Sequence, residues 1–258
     1  MHTLSDAASP ETIARAAVAL DCHSVAFTYN DPVIFFEYAV DVAQACHDQG
    51  IQTVAVTAGY ICAEPRAAFY CHMDAANADL KAFSERFYHR LTGSHLQPVL
   101  DTLVYLKHET RVWFEITTLL IPGENDTDRE LEAMPQWMVD HLGPDVPLPF
   151  TAFHPDWKMR GKAPTSASTL TRARHIAMQN GVRYAYTGNV HDEVGGSTTC
   201  HGCGRKVVGR DGYVVTDWQL TEAGHCRFCG AACAGRFAGP PGTWGARRLP
   251  VRLADVAR

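Results

Sequence analysis

An α/β fold with a small metal-binding module towards its C-terminal end is what this sequence predicts, and three observations carry the prediction. Short β-branched runs alternate with amphipathic helical stretches up to about Asp192, the pattern of a parallel sheet with helices outside it. From Glu193 the composition turns to glycine and cysteine, which divides the chain into residues 1–192 and 193–258 with a boundary near Val194-Gly195-Gly196-Ser197. Four of the nine cysteines, Cys200, Cys203, Cys226 and Cys229, fall in the pattern C-x2-C-x22-C-x2-C. With 258 residues and 46% hydrophobic content, the chain is long enough to bury one sizeable core and still carry an appended module.

The elements follow from period and punctuation. Ser9-Pro10-Glu11 is a helix start with proline in the first turn, and apolar residues then recur through Ile13, Ala16, Ala17 and Leu20. Strands are predicted at Val25–Thr28, Thr53–Thr57, Ala75–Leu80, Val112–Leu120, Pro149–Phe153 and Tyr184–Thr187. The helices between them cover about 33–49, 65–72, 84–91, 95–108, 128–141 and 168–180, the last stopped by Asn180-Gly181. Six strands are too few for an eight-stranded barrel, so a doubly wound sheet and a partial barrel both satisfy the pattern. No internal repeat of 20 to 50 residues is present, and the one biased tract is Gly239-Pro240-Pro241-Gly242.

In the C-terminal module each cysteine pair sits in a knuckle closed by glycine, Cys-His-Gly-Cys-Gly at 200–204 and Cys-Arg-Phe-Cys-Gly at 226–230. Backbone N–H groups then turn towards the sulfurs, and four thiolates suit a tetrahedral structural Zn²⁺. The run Gly212-Tyr213-Val214-Val215 reads as a strand between the knuckles, the layout of a zinc ribbon. Two disulfides are the competing use of these cysteines, and an iron–sulfur role for Cys226, Cys229 and Cys233 is a further one; the pairing with Cys200 and Cys203 favours zinc, leaving Cys233 as a spare thiol. Cys22 and Cys46 read as packing residues.

In either α/β architecture ligands bind at the carboxyl ends of the strands. Those ends are polar here: Thr28-Tyr29-Asn30-Asp31-Pro32, Ala58-Gly59-Tyr60, Asp79-Leu80-Lys81, Pro122-Gly123-Glu124-Asn125-Asp126 and His154-Pro155-Asp156-Trp157-Lys158. Singly each has a plainer use: Asp31-Pro32 starts a helix, Pro122-Gly123 is a turn, Asp79 and Lys81 make a surface pair, and His154 is a structural histidine. Five in order point to a small-molecule site.

Charge and composition narrow the partners. A net charge of −5 and a pI near 6.2 argue against general phosphate-backbone binding, so no nucleic-acid partner is expected. No apolar run approaches the ~18 residues of a membrane span, and Met1 to Pro10 has neither a basic n-region nor an apolar h-region. The expectation is a cytoplasmic protein.

From Ser5 to about Val251 the chain resembles the radical S-adenosylmethionine (SAM) enzyme of the AmmeMemoRadiSam system, a group similar to pyruvate formate-lyase activating enzymes. The residues that carry the resemblance are Ser24 to Pro32, Val54 to Tyr60, Asp79-Leu80-Lys81-Ala82-Phe83, Thr117 to Asp126, Thr151 to Met159, Tyr186-Thr187-Gly188-Asn189-Val190-His191-Asp192 and the cysteine ribbon. The resemblance implies a partial TIM-type (β/α) barrel and reductive cleavage of SAM to a 5′-deoxyadenosyl radical that abstracts hydrogen from a substrate. It also implies roles. The Tyr29-Asn30-Asp31 turn takes the place of a Gly-Gly-Glu segment that holds the methionine amino group. Asp79 and Lys81 match an Asp-x-Lys element near the methionine moiety, where the lysine meets the carboxylate, and His154 matches a histidine near the ribose. These are binding roles; the radical chemistry belongs to the cofactor.

At the centre of that mechanism the sequence departs from the family. The [4Fe–4S] cluster is held there by C-x3-C-x2-C after the first strand, and this sequence contains no such triplet. It reads as the family fold without its first strand and cluster loop. Three explanations follow: an upstream segment of a longer reading frame, a partner chain that supplies the missing strand, or an inactive fragment. The last belongs to a different class of function, a non-catalytic zinc-binding scaffold that recruits a partner through the ribbon and the open edge of the strand beginning at Val25. No motif names the substrate, which includes a protein among its candidates.

Overall fold

A computed structural model describes residues 8–237, 239 and 241–253. By packing, the chain forms two compact units, one of Met1–Ala78, Asp101–Phe114 and Arg248–Arg258, the other of Asp79–Leu100 and Glu115–Arg247. Met1 to Ala7, on which most of the reading of a leader rests, lie outside the described residues.

The first unit opens with helix α1 (Pro10–Ala19), where the Ser9 hydroxyl accepts from the Thr12 N–H as predicted for a capped start. Strand β1 (Ser24–Phe27), a 3₁₀ turn (Pro32–Phe35), α2 (Phe36–Asp48), β2 (Gln52–Thr57), α3 (Ala63–Tyr70) and most of β3 (Ala75–Asp79) follow. β1 pairs in parallel with β2, and β2 with β3, Ala26 opposite Val54 and Ala55 opposite Ala76. The core takes Ala39, Val42, Ala43 and Cys46 from α2, Ala55 from β2, Phe69 from α3, and Leu103 and Leu106 from α5 (Gln97–Glu109). Cys46 is a packing residue, as expected. Cys22 is not: it is exposed, because the turn between α1 and β1 leads into a strand that is itself mostly exposed.

The second unit contains a one-turn helix α4 (Glu85–Phe87) running into a π turn (Tyr88–Thr92), then most of β4 (Trp113–Leu120), α6 (Asp128–Leu142), β5 (Leu148–Ala152), α7 (Ala167–Gln179) and β6 (Ala185–Gly188). The stretch predicted as one helix over 84–91 is split because the Thr92 hydroxyl and the Ser94 N–H both bond back to the Tyr88 carbonyl and widen the last turn before Gly93. β4–β5 and β5–β6 are parallel, Thr118 opposite Phe150 and Leu148 opposite Ala185, so the strands of this unit also lie in the order of the sequence. Ile116, Leu120, Leu148 and Phe150 from the strands meet Leu131, Met134, Met138 and Leu170 from the helices in this core.

A one-turn helix α8 (Glu193–Gly196) leads into the cysteine module, which carries β7 (Thr198–Thr199), β8 (Lys206–Asp211) and β9 (Val214–Trp218) as an antiparallel sheet. The run predicted as a single strand at Gly212-Tyr213-Val214-Val215 is the tip of a hairpin. Gly212, at φ 56°, and Tyr213 form the two-residue turn that joins β8 to β9, and only Val214 onward is strand. The small core beneath is Cys200, Val207, Val208, Leu220, Cys226 and Cys233, with Trp218 packed edge-on against Phe237.

Candidate functional site and metal centre

The four predicted ligands come together. Sγ of Cys200 lies 3.5 Å from that of Cys229, and Sγ of Cys203 lies 3.8 Å from that of Cys226, with all four within 4.8 Å of one another. Four sulfurs at ~2.3 Å from a central ion in a tetrahedron stand about 3.8 Å apart, whereas a disulfide needs about 2.05 Å. The two cross-knuckle Sγ–Sγ separations, 3.5 and 3.8 Å, fit the tetrahedral spacing and not the disulfide one.

The knuckles are built alike. The Cys200 N–H donates to the Arg205 carbonyl and the Gly204 N–H to the Cys200 carbonyl, both at 2.8 Å; Cys226, Ala231 and Gly230 repeat the pattern at the same distances. Gly204 and Gly230 take φ values of 70° and 77°, which explains the glycine that closes each knuckle. Burial opposes the Cys226 thiolate, but N–H groups of Phe228 and Cys229 outweigh it and set its pKa at about 7. Cys229 has a backbone donor from Ala231, yet its thiol is pushed up by neighbouring Cys200, Cys203 and Cys226. Four sulfurs gathered this closely, one held towards its thiolate and another towards its thiol by its neighbours, are what a divalent cation would bind as thiolates. Cys233 lies in the module's core with its thiol pushed up, first by burial and then by Cys200 and Cys226.

At the strand ends, Tyr29, Asn30 and Asp31 belong to the first unit, and Asp79, Lys81 and His154 to the second. Tyr29 is 98% exposed and sits at φ 70°, a conformation a bulky residue adopts at a cost. Asp31 faces inward. One oxygen accepts from the Val33 N–H (3.1 Å) and the Thr57 hydroxyl (3.0 Å), the other from the Ala58 N–H (2.7 Å). The carboxylate thus caps the 3₁₀ turn and ties it to the end of β2. Beside it Tyr70 is buried, its hydroxyl pushed up by burial and by the Asp31 charge, with no hydrogen-bond partner for the oxygen.

In the second unit Lys81 Nζ lies 2.7 Å from Asp79 Oδ2, each side chain 37% exposed. The backbone around Lys81 is irregular, yet its polar groups are held by side chains. The Thr118 hydroxyl donates to the Leu80 carbonyl (2.8 Å), the Lys81 N–H donates to the Tyr88 hydroxyl oxygen (3.1 Å), and the Phe83 N–H donates to Glu130 Oε1 (2.6 Å). Asn125, 1% exposed, donates to the carbonyls of Lys81 (2.7 Å) and Leu119 (2.9 Å) and accepts from the Ile121 N–H (2.7 Å). After β4 the Glu124 carboxylate is nearly buried between Arg90 and Lys162, the latter at 2.7 Å. His154 is 80% exposed, its Nδ1 3.1 Å from Asp156 Oδ2, and the following Trp157 is exposed at φ 44° with Lys158 over its ring.

Sequence reasoning names Asp79 and Lys81 as site residues and gives Tyr88, Thr118 and Glu130 no such role; Asn125 enters it only as a member of the polar end after the fourth strand. No local pattern marks such residues. An open groove of about 660 Å³ along α1 and α2 is lined by Glu11, Arg15, Asp41 and Asp48, and none of the predicted site residues borders it. Among the described residues the one grouping of three or more metal-ligating side chains is the four-cysteine centre. Cys22, Cys62 and Cys71 are exposed and Cys46 is buried; none of the four joins the four-cysteine centre, and the sequence offers no C-x3-C-x2-C cradle of the family's kind.

Comparisons with known proteins bear on the family and the fold. Residues 2–133 match the family described as the Radical SAM superfamily. Over 223 residues the chain is 34% identical to an uncharacterized protein, MJ0808, of Methanocaldococcus jannaschii, a match that takes in 86% of this chain and spans 66% of that relative's length. A domain of pyruvate-formate lyase-activating enzyme from Bacteroides vulgatus superposes with a TM-score of 0.56 at 17% identity, covering 64% of this chain and 99% of that one. Streptococcus suis SuiB bound to S-adenosylmethionine gives 0.55 at 12%, covering 70% and 41%. At these identities the two structures speak for the fold. No helix among the described residues is long and apolar enough to cross a membrane.

Proposed function

The chain belongs to the radical SAM superfamily, and on that premise we propose that it binds S-adenosylmethionine at the carboxyl ends of its strands, within the AmmeMemoRadiSam group, on an α/β fold curved into a partial barrel. Bound with a cluster that passes it one electron, SAM would break into methionine and a 5′-deoxyadenosyl radical able to remove hydrogen from a substrate, with a protein among the candidates. The Asp79–Lys81 pair is the observation that carries the reading. Lys81 has three N–H donors and spends one on Asp79, which leaves two for the methionine carboxylate. Asp31 holds the turn that presents Tyr29 and Asn30 to the methionine amino group, and His154, steadied by Asp156, offers Nε2 to a ribose hydroxyl.

The cluster's three cysteines come from outside the sequence described here, from an upstream segment or a partner chain. The four-cysteine centre holds Zn²⁺: its sulfur spacing matches a Zn–thiolate tetrahedron, and its core has no other staple. The protein works in the cytoplasm, where thiolates stay reduced.

An iron and zinc count on anaerobically reconstituted chain, followed by assay for 5′-deoxyadenosine, tests the proposal. About one zinc and no iron is the result expected of the chain alone, with iron and SAM cleavage gained when the cluster-bearing segment is added. A chain that binds zinc yet neither binds nor cleaves SAM with that segment present is instead a scaffold.

A further inference from the structure

We propose that Tyr88, Thr118, Asn125 and Glu130 are positioning residues that fix the direction of Lys81, an inference that rests on the assignment of Lys81 to the SAM carboxylate. Between the end of β3 and Ser84 the chain has no regular structure. A loop of that kind ordinarily gives its N–H and C=O groups to water. Here Leu80 O, Lys81 N, Lys81 O and Phe83 N are each taken by a side chain, from β4, the π turn, the loop after β4 and α6 in turn. Leu80 and Ala82 are fully buried on either side of Lys81, so the segment is anchored through both its backbone and its alternate side chains.

Burying two hydroxyls and a carboxamide and freezing their rotamers is costly, and a strand or helix extended by a few residues would satisfy the same backbone without them. What the four side chains supply beyond satisfaction is direction. The peptide planes before and after Lys81 are both held, which leaves only its own side-chain torsions free, and Asp79 limits those by the 2.7 Å contact. A preorganised donor of this kind binds a ligand carboxylate without first paying to be ordered. The π turn fits the same account, since it swings the buried Tyr88 ring inward to meet the Lys81 N–H.

Amide hydrogen exchange on the full chain, with SAM affinity by calorimetry, tests the inference. In the wild type the Lys81 and Phe83 amides are expected to exchange slowly despite lying outside helix and sheet. Tyr88→Phe should speed Lys81 exchange while zinc content and Tm hold, and should weaken SAM about tenfold, an effect that vanishes in the Lys81→Ala background. Should Tyr88→Phe lower Tm, Glu130→Ala against Glu130→Gln gives the same comparison at Phe83, because glutamine keeps the acceptor. Lys81→Ala with wild-type affinity overturns the assignment of Lys81 to the ligand, and the positioning role with it. Lys81→Ala weakened, with Tyr88→Phe unchanged or equally harmful without Lys81, overturns the positioning alone.

Discussion

In the cysteine module every ligand comes from a short knuckle closed by its own backbone, Gly204 N–H to Cys200 and Gly230 N–H to Cys226. The segment around Lys81 is held by partners 7, 38, 44 and 47 residues away. The first arrangement forms as soon as two knuckles and an ion meet; the second exists only when β3, β4 and α6 are already in place. If the four cysteines hold the proposed Zn²⁺, local geometry makes a module that stands or falls with the ion. Long-range pinning makes a site whose accuracy is a property of the whole unit.

On the proposed zinc assignment, loss of the ion is therefore the largest expected effect and the sharpest separation of the two regions. Structural zinc contributes on the order of 10 kcal/mol to folding, and the module's own core is six buried residues, two of them ligands. Cys226→Ser, or chelation, should release the metal and strip exchange protection from residues 198–237. The amides of Lys81 and Phe83 should stay protected. If they are lost along with the module, the two regions are not independent and the contrast fails.

Asn125→Ala comes next. It removes the donor to Lys81 and Leu119 and the acceptor of Ile121, in a place with 1% exposure, so about 3 kcal/mol is expected in denaturant unfolding. Asn125→Asp should be no better, because it sets a carboxylate against two carbonyl oxygens. A loss below about 1 kcal/mol would mean that water replaces the amide easily and that the segment is not rigid. Asp31→Asn is intermediate in kind, a cap that also reaches 26 and 27 residues to Thr57 and Ala58. It should cost about 1–2 kcal/mol, read in the same way.

How much of this was legible follows from the same contrast. The alternation of strand and helix outside 84–91, the caps at Ser9 and Asn180 and the clustering of four cysteines are all local patterns, and each stands where the sequence put it. The hairpin at Gly212-Tyr213 was read as strand because Val214-Val215 outweighed the turn signal beside it. Asp79 and Lys81 were visible as a polar strand end. The residues that hold them were not, because nothing two or four positions away betrays a partner forty residues distant. Glu130 shows why. It stands three residues after Thr127, which caps α6, yet its carboxylate reaches not back to the cap but to the Phe83 N–H, 47 residues away.

Glu130 also gives the smallest effect and the one that discriminates best. Burial pushes its carboxyl up from 4.5; the Phe83 N–H works the other way, and the Asp126 charge adds to the rise. A group whose folded pKa is raised stabilises the fold fully below its unfolded value and loses that contribution as pH climbs through the folded one. Glu130→Gln keeps the acceptor for Phe83 and removes the charge. The variant should therefore gain on the wild type as pH rises from about 4 to 7, and the Tm difference between them should be smallest at the acid end. A difference that stays flat would mean that the Phe83 N–H fully compensates burial. One that shrinks with rising pH would mean that the carboxylate is the preferred form, so that Phe83 is held by an ion rather than by a neutral acid.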